Sequence, residues 1–397
     1  MRELIATLSG KTYPFSRIEE FADDGEALEV KISNIEKASI KKHESFLMRY
    51  SDFIPFNTLD ETLSLGEGNT PLLPANNTLQ AYTGISDLLL KNETLNPTWS
   101  FKDRGSLACI LMAREMHENI TATISTGNMG NSMAAYGAHS QIKTIVFVPQ
   151  YASKEKTSAM SLHGAKIIKV KGPDYSEVKS RILDMSQELQ LRIVSGNGPI
   201  RAEGYKLTAF ELYEQLKGNI PDYIAVPTSA CGHIRGIFKG FRELKAAGYI
   251  KNLPKMIVVQ AENNAPIVKA ITEGKNDVIP FRNIQTIANA ITTGNPRGGQ
   301  EIIQKAKEYG WLAASVNEDE ILESQRLLAQ AGYFVEPASA TSLAALKKLR
   351  QKGMIKANDK TIMILTGSGL KDSKVLSLHN LQITESDVES IKSKIHK

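Results

Sequence analysis

Asn96–Gly105 reads NPTWSFKDRG, and the fold turns on what this stretch joins. Before it lies a short apolar run, Leu88–Lys91, and after it an amphipathic helix pattern, Ser106–Met116. Strand, polar turn and helix in succession make the unit where α/β proteins hold ligands, outside the carboxyl end of a strand. One lysine, Lys102, stands at the junction. Taken alone, it reads equally well as a solvated lysine in a charged turn.

Outward from this stretch, apolar β-branched runs alternate with helix-period segments. Strands are predicted at Thr121–Thr126, Lys143–Pro149, Lys166–Lys171, Arg192–Ser195, Tyr223–Pro227, Met256–Ala261, Trp311–Val316 and Thr361–Thr366. Helices are predicted at Asn131–His139, Lys154–Leu162, Ser176–Leu189, Lys206–Gln215, Ile234–Ala247, Ile302–Tyr309, Ile321–Ala331 and Ala340–Gln351. Short strands separated by helices imply βαβ units and mostly parallel sheets. There are more strands than one sheet usually holds, so two three-layer α/β lobes are expected, with no linker between them. Residues 1–50 read as an extension with a strand at Leu28–Ile32 and a charged helix-like stretch at Asn34–Glu44. MRYSDFIPF (Met48–Phe56) reads as a packing segment, and GEGNTPLL (Gly66–Leu73) as a turn entering a β segment. The tail, Gln382–Lys397, is charged and helix-like.

Composition narrows the class. The 397 residues are 42% hydrophobic and 23% charged, with 48 basic against 43 acidic residues. A net charge of +5 without a basic, aromatic-interleaved block argues against nucleic-acid binding. No run of about 18 apolar residues suggests a membrane span, and the N-terminus lacks a signal peptide's apolar core. Two cysteines, Cys109 and Cys231, make neither a disulfide framework nor a metal cluster. A cytoplasmic, reducing-compartment protein without a metal is expected.

Five loops rich in small residues follow strands: NPTWSFKDRG, TGNMGNS (Thr126–Ser132), GNGPIRAEGYK (Gly196–Lys206), TSACGHIRG (Thr228–Gly236) and TGSGLKD (Thr366–Asp372). TSACGH opens a helix, where successive N–H groups suit a phosphate. It matches neither GxxxxGK[ST] nor GxGxxG, so neither an NTP nor a dinucleotide is indicated. An ordinary strand–helix turn is the plain alternative. A lysine, an anion cradle and Asn/Thr/Ser loops together suggest a phosphorylated cofactor held as an imine, and pyridoxal 5'-phosphate fits. Lys102 then forms the imine and Thr228–His233 holds the phosphate.

At this point the chain resembles the threonine synthases, within the tryptophan-synthase-β-like, fold type II pyridoxal-phosphate enzymes. MRYSDFIPF, GEGNTPL, NPTWSFKDRG, STGNMGNS, RAEGYK, VVQAENNAP, ITTGNP, VEPASA (Val335–Ala340) and TGSGLKD carry the resemblance, in order, over roughly residues 45–375. It implies an N-terminal extension at 1–55, a large cofactor domain at 56–104 and 196–380, a small mobile α/β domain at 105–195 and a tail at 381–397. It implies Lys102 as Schiff-base lysine and proton shuttle, Asn128 on the ring oxygen and Thr366 at the ring nitrogen. Ser229, Ala230, Cys231, Gly232 and His233 hold the cofactor phosphate. Ser100, Asp103, Thr126, Arg201 and Lys206 bind the substrate, with Arg201 on its phosphate. The implied reaction eliminates phosphate from O-phosphohomoserine and adds water to give threonine, in a homodimer. Family N-terminal segments often carry metal-type cysteines, which are missing here.

The departures from the family pattern lie in the site. Trp99 replaces a Gly, Met129 a Thr, Gly196 a Ser, Tyr205 a Gln and Ser368 a His, and SACGH replaces a GNAGN-like loop. Met129 and Gly196 each remove a hydroxyl, and a hydrogen bond to a charged group contributes about 1.5–3 kcal/mol. A threonine synthase in the strict sense is therefore weighed against a paralogue. The paralogue would carry out β-replacement or elimination on O-phosphoserine, serine or threonine. A non-catalytic binding protein is the third reading. Cys231 reads as a packing residue. Trp99 reads either as a pocket wall or as a core aromatic. His139 and His163 lack partner spacing, and the Pro of VEPASA sets a helix start.

Overall fold

The computed structural model describes residues 2–172, 175–282, 284–381, 383–389 and 391–395. In chain order the strands are β1 (Arg2–Ala6), β2 (Thr12–Pro14), β3 (Leu28–Ile32), β4 (Leu72–Pro74), β5 (Leu88–Asn92), β6 (Ile120–Ile124), β7 (Lys143–Pro149), β8 (Lys166–Val170) and β9 (Ile193–Val194). They continue as β10 (Tyr223–Pro227), β11 (Lys255–Ala261), β12 (Leu312–Val316) and β13 (Thr361–Leu365). Three sheets result, ordered β2-β1-β3, β12-β11-β10-β13-β5-β4 and β8-β7-β6-β9. The four-stranded sheet is parallel throughout, and in the six-stranded sheet only β4 runs antiparallel to its neighbour. The chain leaves the six-stranded sheet after β5, builds the four-stranded one, and re-enters beside β11 and β13 at β10.

Apolar runs place these strands. β13, TIMIL, is buried at every position, as a parallel strand covered by helices on both faces must be. The N-terminal sheet differs: Leu4, Ala6, Leu28 and Val30 are buried while Glu3 and Lys31 pair outward, the alternation of a sheet with one wet face. That apolar face joins the same core as Phe238 and Ile237 of the helix Gly232–Ala246. Lys239 Nζ on that helix donates to the Val30 carbonyl at 2.5 Å, and Arg235 donates to Leu28.

Several boundaries move from those the sequence suggests. The stretch 34–44 is not helical beyond one 3-10 turn, Ile35–Lys37, because tertiary contacts claim its backbone. Ile40 N–H donates to Tyr249 Oη at 2.8 Å and Lys41 N–H to the Arg49 carbonyl. A helix at Pro199–Tyr205, with Pro at its start, precedes the expected one, which begins at Leu207. The helix after the opening stretch begins at Lys102 rather than Ser106. In the tail, Ile391–Ile395 is helical, and residues 382, 390, 396 and 397 lie outside the described residues.

A buried ionic cluster fastens the opening stretch to the six-stranded sheet. Arg104 donates to Glu93 (2.7 and 2.8 Å) and to Glu211 (2.7 Å twice), and Lys91 of β5 donates to Glu211 at 2.6 Å. Asn96 bonds the same Glu93 and accepts from Gly68 N–H. Burying two carboxylates is tolerable only while both cations remain. Arg104→Ala should therefore cost about 3–5 kcal/mol, read as a lower midpoint in urea unfolding.

The extension spans the two larger sheets. Phe21 enters the apolar core under the four-stranded sheet, with Ile124, Phe147 and Ile193, while Leu4 and Tyr13 belong to the main core. Next to Phe21, the buried Glu20 accepts from Ser195 N–H at the end of β9. Burial pushes the Glu20 carboxyl up from 4.5 to about 7, against the pull of Ser195, Arg201 and Arg192. A raised native pKa means the folded state holds a proton that the unfolded chain has lost. Stability from this group is present below pH 4.5 and falls as pH rises to about 7. In Glu20→Gln the thermal midpoint should lose less than wild type across that window.

Candidate active site

The five predicted loops converge on one cavity of about 460 Å³. Its lining includes Lys102 after β5, Thr126 and Asn128 after β6, Gly196 after β9, Thr228–His233 after β10, and Thr366 after β13. The cavity thus takes its walls from the carboxyl ends of strands in both parallel sheets, the expected position in open α/β folds.

Lys102 opens a 14-residue helix. The chain before it is fixed by pairing with the loop after β13: Phe101 N–H donates to the Thr366 carbonyl, Ser100 bridges Gly367, and Ser368 N–H donates to the Trp99 carbonyl. The Lys102 ammonium lies 4.1 Å from the Phe101 ring centroid. The Phe101 ring also stacks on His233 at 3.6 Å and 11° and tilts against Tyr205 at 5.1 Å. Burial lowers the Lys102 amine from 10.5 to about 7. Arg201 and Lys179 push the same way, and Glu336 opposes them. This is the range in which an amine is both a nucleophile and a proton carrier at neutral pH.

Across the cavity, the helix Gly232–Ala246 begins without a side-chain cap, and its N-cap, Cys231, holds a left-handed φ of 76°. Gly232 has no room for a side chain: a Cβ there would sit 2.1 Å from the Gly196 carbonyl. Both ring nitrogens of buried His233 lack a hydrogen-bond partner among the described residues. Burial, then Lys102 and Arg104, hold that imidazole well below its usual range, so it is neutral. An uncapped helix start, a glycine contact that admits no Cβ and an orphaned polar ring together fit a phosphate group. Asn128 donates its amide to both oxygens of Glu336 at 2.7 and 2.9 Å, and Thr366 is held by its own N–H to Ser339 Oγ.

Not every predicted residue reaches the cavity. Of the five expected at the substrate, Thr126 lines it, while Ser100, Asp103, Arg201 and Lys206 do not. Lys206 is fully buried, donating to Glu203 and Glu243 and to the Phe53 carbonyl. Arg201 is fully buried behind Lys102, donating to Tyr205 Oη at 3.0 Å and to the Lys102 carbonyl at 3.3 Å. Its charge acts on Lys102 through space. Asp103 accepts from Thr98 and Ser132, and Ser100 Oγ is buried without a partner among the described residues. Helical spacing explains the loss: Arg201 sits in Pro199–Tyr205, a helix missed in the pattern, and its side chain turns inward. Conversely, Lys179, Glu336 and Lys371 line the cavity. Lys371 is 3.6 Å from Glu336 and donates to the Thr98 carbonyl. Lys179 comes from the helix Tyr175–Asp184, remote in sequence from every loop singled out, and no local signal marked it.

A near-neutral lysine at a strand–helix junction, facing an uncapped helix start across loops of two parallel sheets, defines a fold type II pyridoxal-phosphate site. The profile of the pyridoxal-phosphate dependent enzyme family matches residues 63–367. The threonine synthase of Methanocaldococcus jannaschii is 38% identical over 91% of this chain and 91% of its own. That of Methanosarcina acetivorans is 36% identical over 86% and 84%. The solved O-ureido-L-serine synthase shares the fold, with a TM-score of 0.66 at 16% identity over 85% of this chain and all of its own. The chain belongs to the pyridoxal-phosphate dependent enzymes, in the threonine synthase group, and pyridoxal 5'-phosphate is its cofactor. Ser229–His233 would hold the phosphate, Lys102 the aldehyde carbon, and Asn128 and Thr366 the ring.

Only an uncharged amine attacks an aldehyde. Capture of pyridoxal phosphate by cofactor-free protein should therefore speed up as pH rises and level off above about 7. Arg201→Gln should move that midpoint upward, measured by stopped-flow absorbance across a pH series.

Proposed function

We propose that this enzyme converts O-phosphohomoserine and water into threonine and inorganic phosphate. One observation carries the reading: beyond Lys102 and the helix start assigned to the cofactor, the cavity wall holds two further cations, Lys179 and Lys371. The helix start takes the cofactor phosphate, so Lys179, together with Lys371 beside Glu336, is left to meet a second anion, the phosphate of a substrate. Both amines are lowered by burial, so an incoming dianion would favour their charged forms. The threonine synthase names of the relatives point to the same chemistry.

Bound pyridoxal phosphate supplies the electron sink that lets a proton leave Cα. The protein's residues do the rest. Lys102 Nζ, near neutrality and buried, takes the Cα proton, moves protons at Cβ, and returns one at the end. Arg201 behind it keeps the amine from holding a proton too tightly. Lys179 and Lys371 hold the departing phosphate. The apolar wall formed by Phe101 and Met129 limits the water that could discharge the reaction early. Met129 offers no hydroxyl, so this site grips its anion by charge rather than by a threonine hydrogen bond.

Phosphate release and amino-acid product should be measured from O-phosphohomoserine beside O-phosphoserine, serine and threonine. Threonine with equimolar phosphate from the first substrate is the expected outcome. Product only from O-phosphoserine or serine would replace this reading with that of a β-replacing or eliminating relative. Lys102→Ala should reduce turnover about 100- to 10,000-fold, the range for losing a positioned acid–base group. Lys179→Met should raise KM for the phosphorylated substrate while leaving cofactor occupancy intact.

A further inference from the structure

We infer that Ser132 is a positioning residue whose hydroxyl, bonded to Asp103 and Ser106, holds Asn128 in place against Lys102. This rests on the reading of Asn128 and Lys102 as partners of the cofactor's ring and aldehyde, and names what sets their spacing. Each of the two opens a helix, Lys102–Glu115 after β5 and Asn128–Ser140 after β6. The two helices therefore leave different sheets. Neither has a side-chain cap to steady its first turn. Residues four apart share a helix face, so Ser106 lies one turn along from Lys102, and Ser132 one turn along from Asn128. Those two hydroxyls meet at 2.7 Å.

The contacts around that meeting give the chain of hydroxyls a direction. Ser132 Oγ donates to Asp103 Oδ1 at 2.5 Å, so Ser106 must donate to Ser132. Ser106 Oγ in turn accepts from Arg201 Nη2 at 3.4 Å, and the same nitrogen donates to the Lys102 carbonyl at 3.3 Å. A guanidinium only donates and an ionised carboxylate only accepts, so the two ends fix each proton between them. The Asp103 carboxylate also accepts from Thr98 N–H at 2.6 Å and from Thr98 Oγ1 at 2.5 Å. It thereby ties the turn before Lys102 to the helix that Asn128 opens. Asp103, Ser106 and Ser132 are all fully buried. Alanine would serve at both serine positions if packing were the only demand, since a buried hydroxyl costs free energy unless it is bonded. At the far end of the same two helices, Arg114 donates to the Ser140 carbonyl at 2.6 Å. The helices are thus linked twice, and the hydroxyl chain is the link at the site.

The test titrates pyridoxal 5'-phosphate into the cofactor-free full chain and reads its dissociation constant from visible absorbance. Asn128→Ala should weaken binding. Ser132→Ala should weaken it about 10-fold, inside the range of coupling within one hydrogen-bonded network. In the Asn128→Ala background the same change should add less than about 2-fold, the error of independent sites, because its effect passes through Asn128. Ser106→Ala should shift binding in the same direction, and both serine changes together should be no weaker than Ser132→Ala alone. Arg114→Met cuts the far link and should keep the constant within about 2-fold of wild type, even where it lowers the melting temperature. A constant unchanged in both serine variants would overturn the inference. So would an equal loss from Ser132→Ala with and without Asn128, which would make the hydroxyl a packing element. Where Ser132→Ala does not fold, Ser106→Ala alone and in the Asn128→Ala background decides by the same two criteria. An Asn128→Ala protein that binds the cofactor as wild type does would instead overturn the ring assignment of Asn128, and the inference with it.

Discussion

A lysine buried beside other cations is the constraint that the rest of this structure serves. Moving the Lys102 amine from 10.5 to about 7 costs on the order of 5 kcal/mol of lost protonation free energy, comparable to the net stability of many domains. Such an amine stays in place only if its backbone cannot relax. The pairing of residues 99–101 with 366–368 provides that rigidity, and the Arg104–Glu93–Glu211 cluster anchors the same segment from beneath. Arg201 contributes a repelling like charge without reaching the cavity. Stability and reactivity are thus coupled through one ten-residue stretch.

The site also depends on two sheets meeting correctly. Lys102 and Thr366 come from the six-stranded sheet, and Asn128 and Gly196 from the ends of strands in the four-stranded one. Gly232 and Gly196 pack so closely that the two loops define each other's position. The N-terminal segment adds a third tie, with Phe21 in one core, Tyr13 in the other and Glu20 on the loop that begins at Ser195. These ties keep Asn128 opposite Glu336 and Lys371, so the facing walls of the cavity are set together.

Much of this was legible in the chain. Apolar runs such as TIMIL mark buried parallel strands wherever they occur, because burial on both faces leaves no room for alternation. The loops after those strands could be read as ligand loops on topology alone, and all five do line the cavity. Lys102, Asn128 and the Ser229–His233 turn are local features: each stands at a strand end or a helix start, which sequence encodes within a few residues.

Other roles depend on direction and on distant partners. Arg201 and Lys206 occupy a loop that looks fit for a substrate, yet a helix beginning at Pro199 turns both inward, where Tyr205, Glu203 and Glu243 receive them. Lys179 gives no local sign of function and joins the cavity only because its helix packs against the smaller sheet. Asn34–Glu44 has helical composition but is drawn out by Tyr249, a residue some two hundred positions away. Sequence by itself determined the sheets, through short-range periodicity, and the cofactor class, through loop motifs that resemble those of the pyridoxal-phosphate enzymes. Tertiary structure alone decided which cations line the cavity, because charge placement depends on side-chain direction across elements that are far apart in the chain.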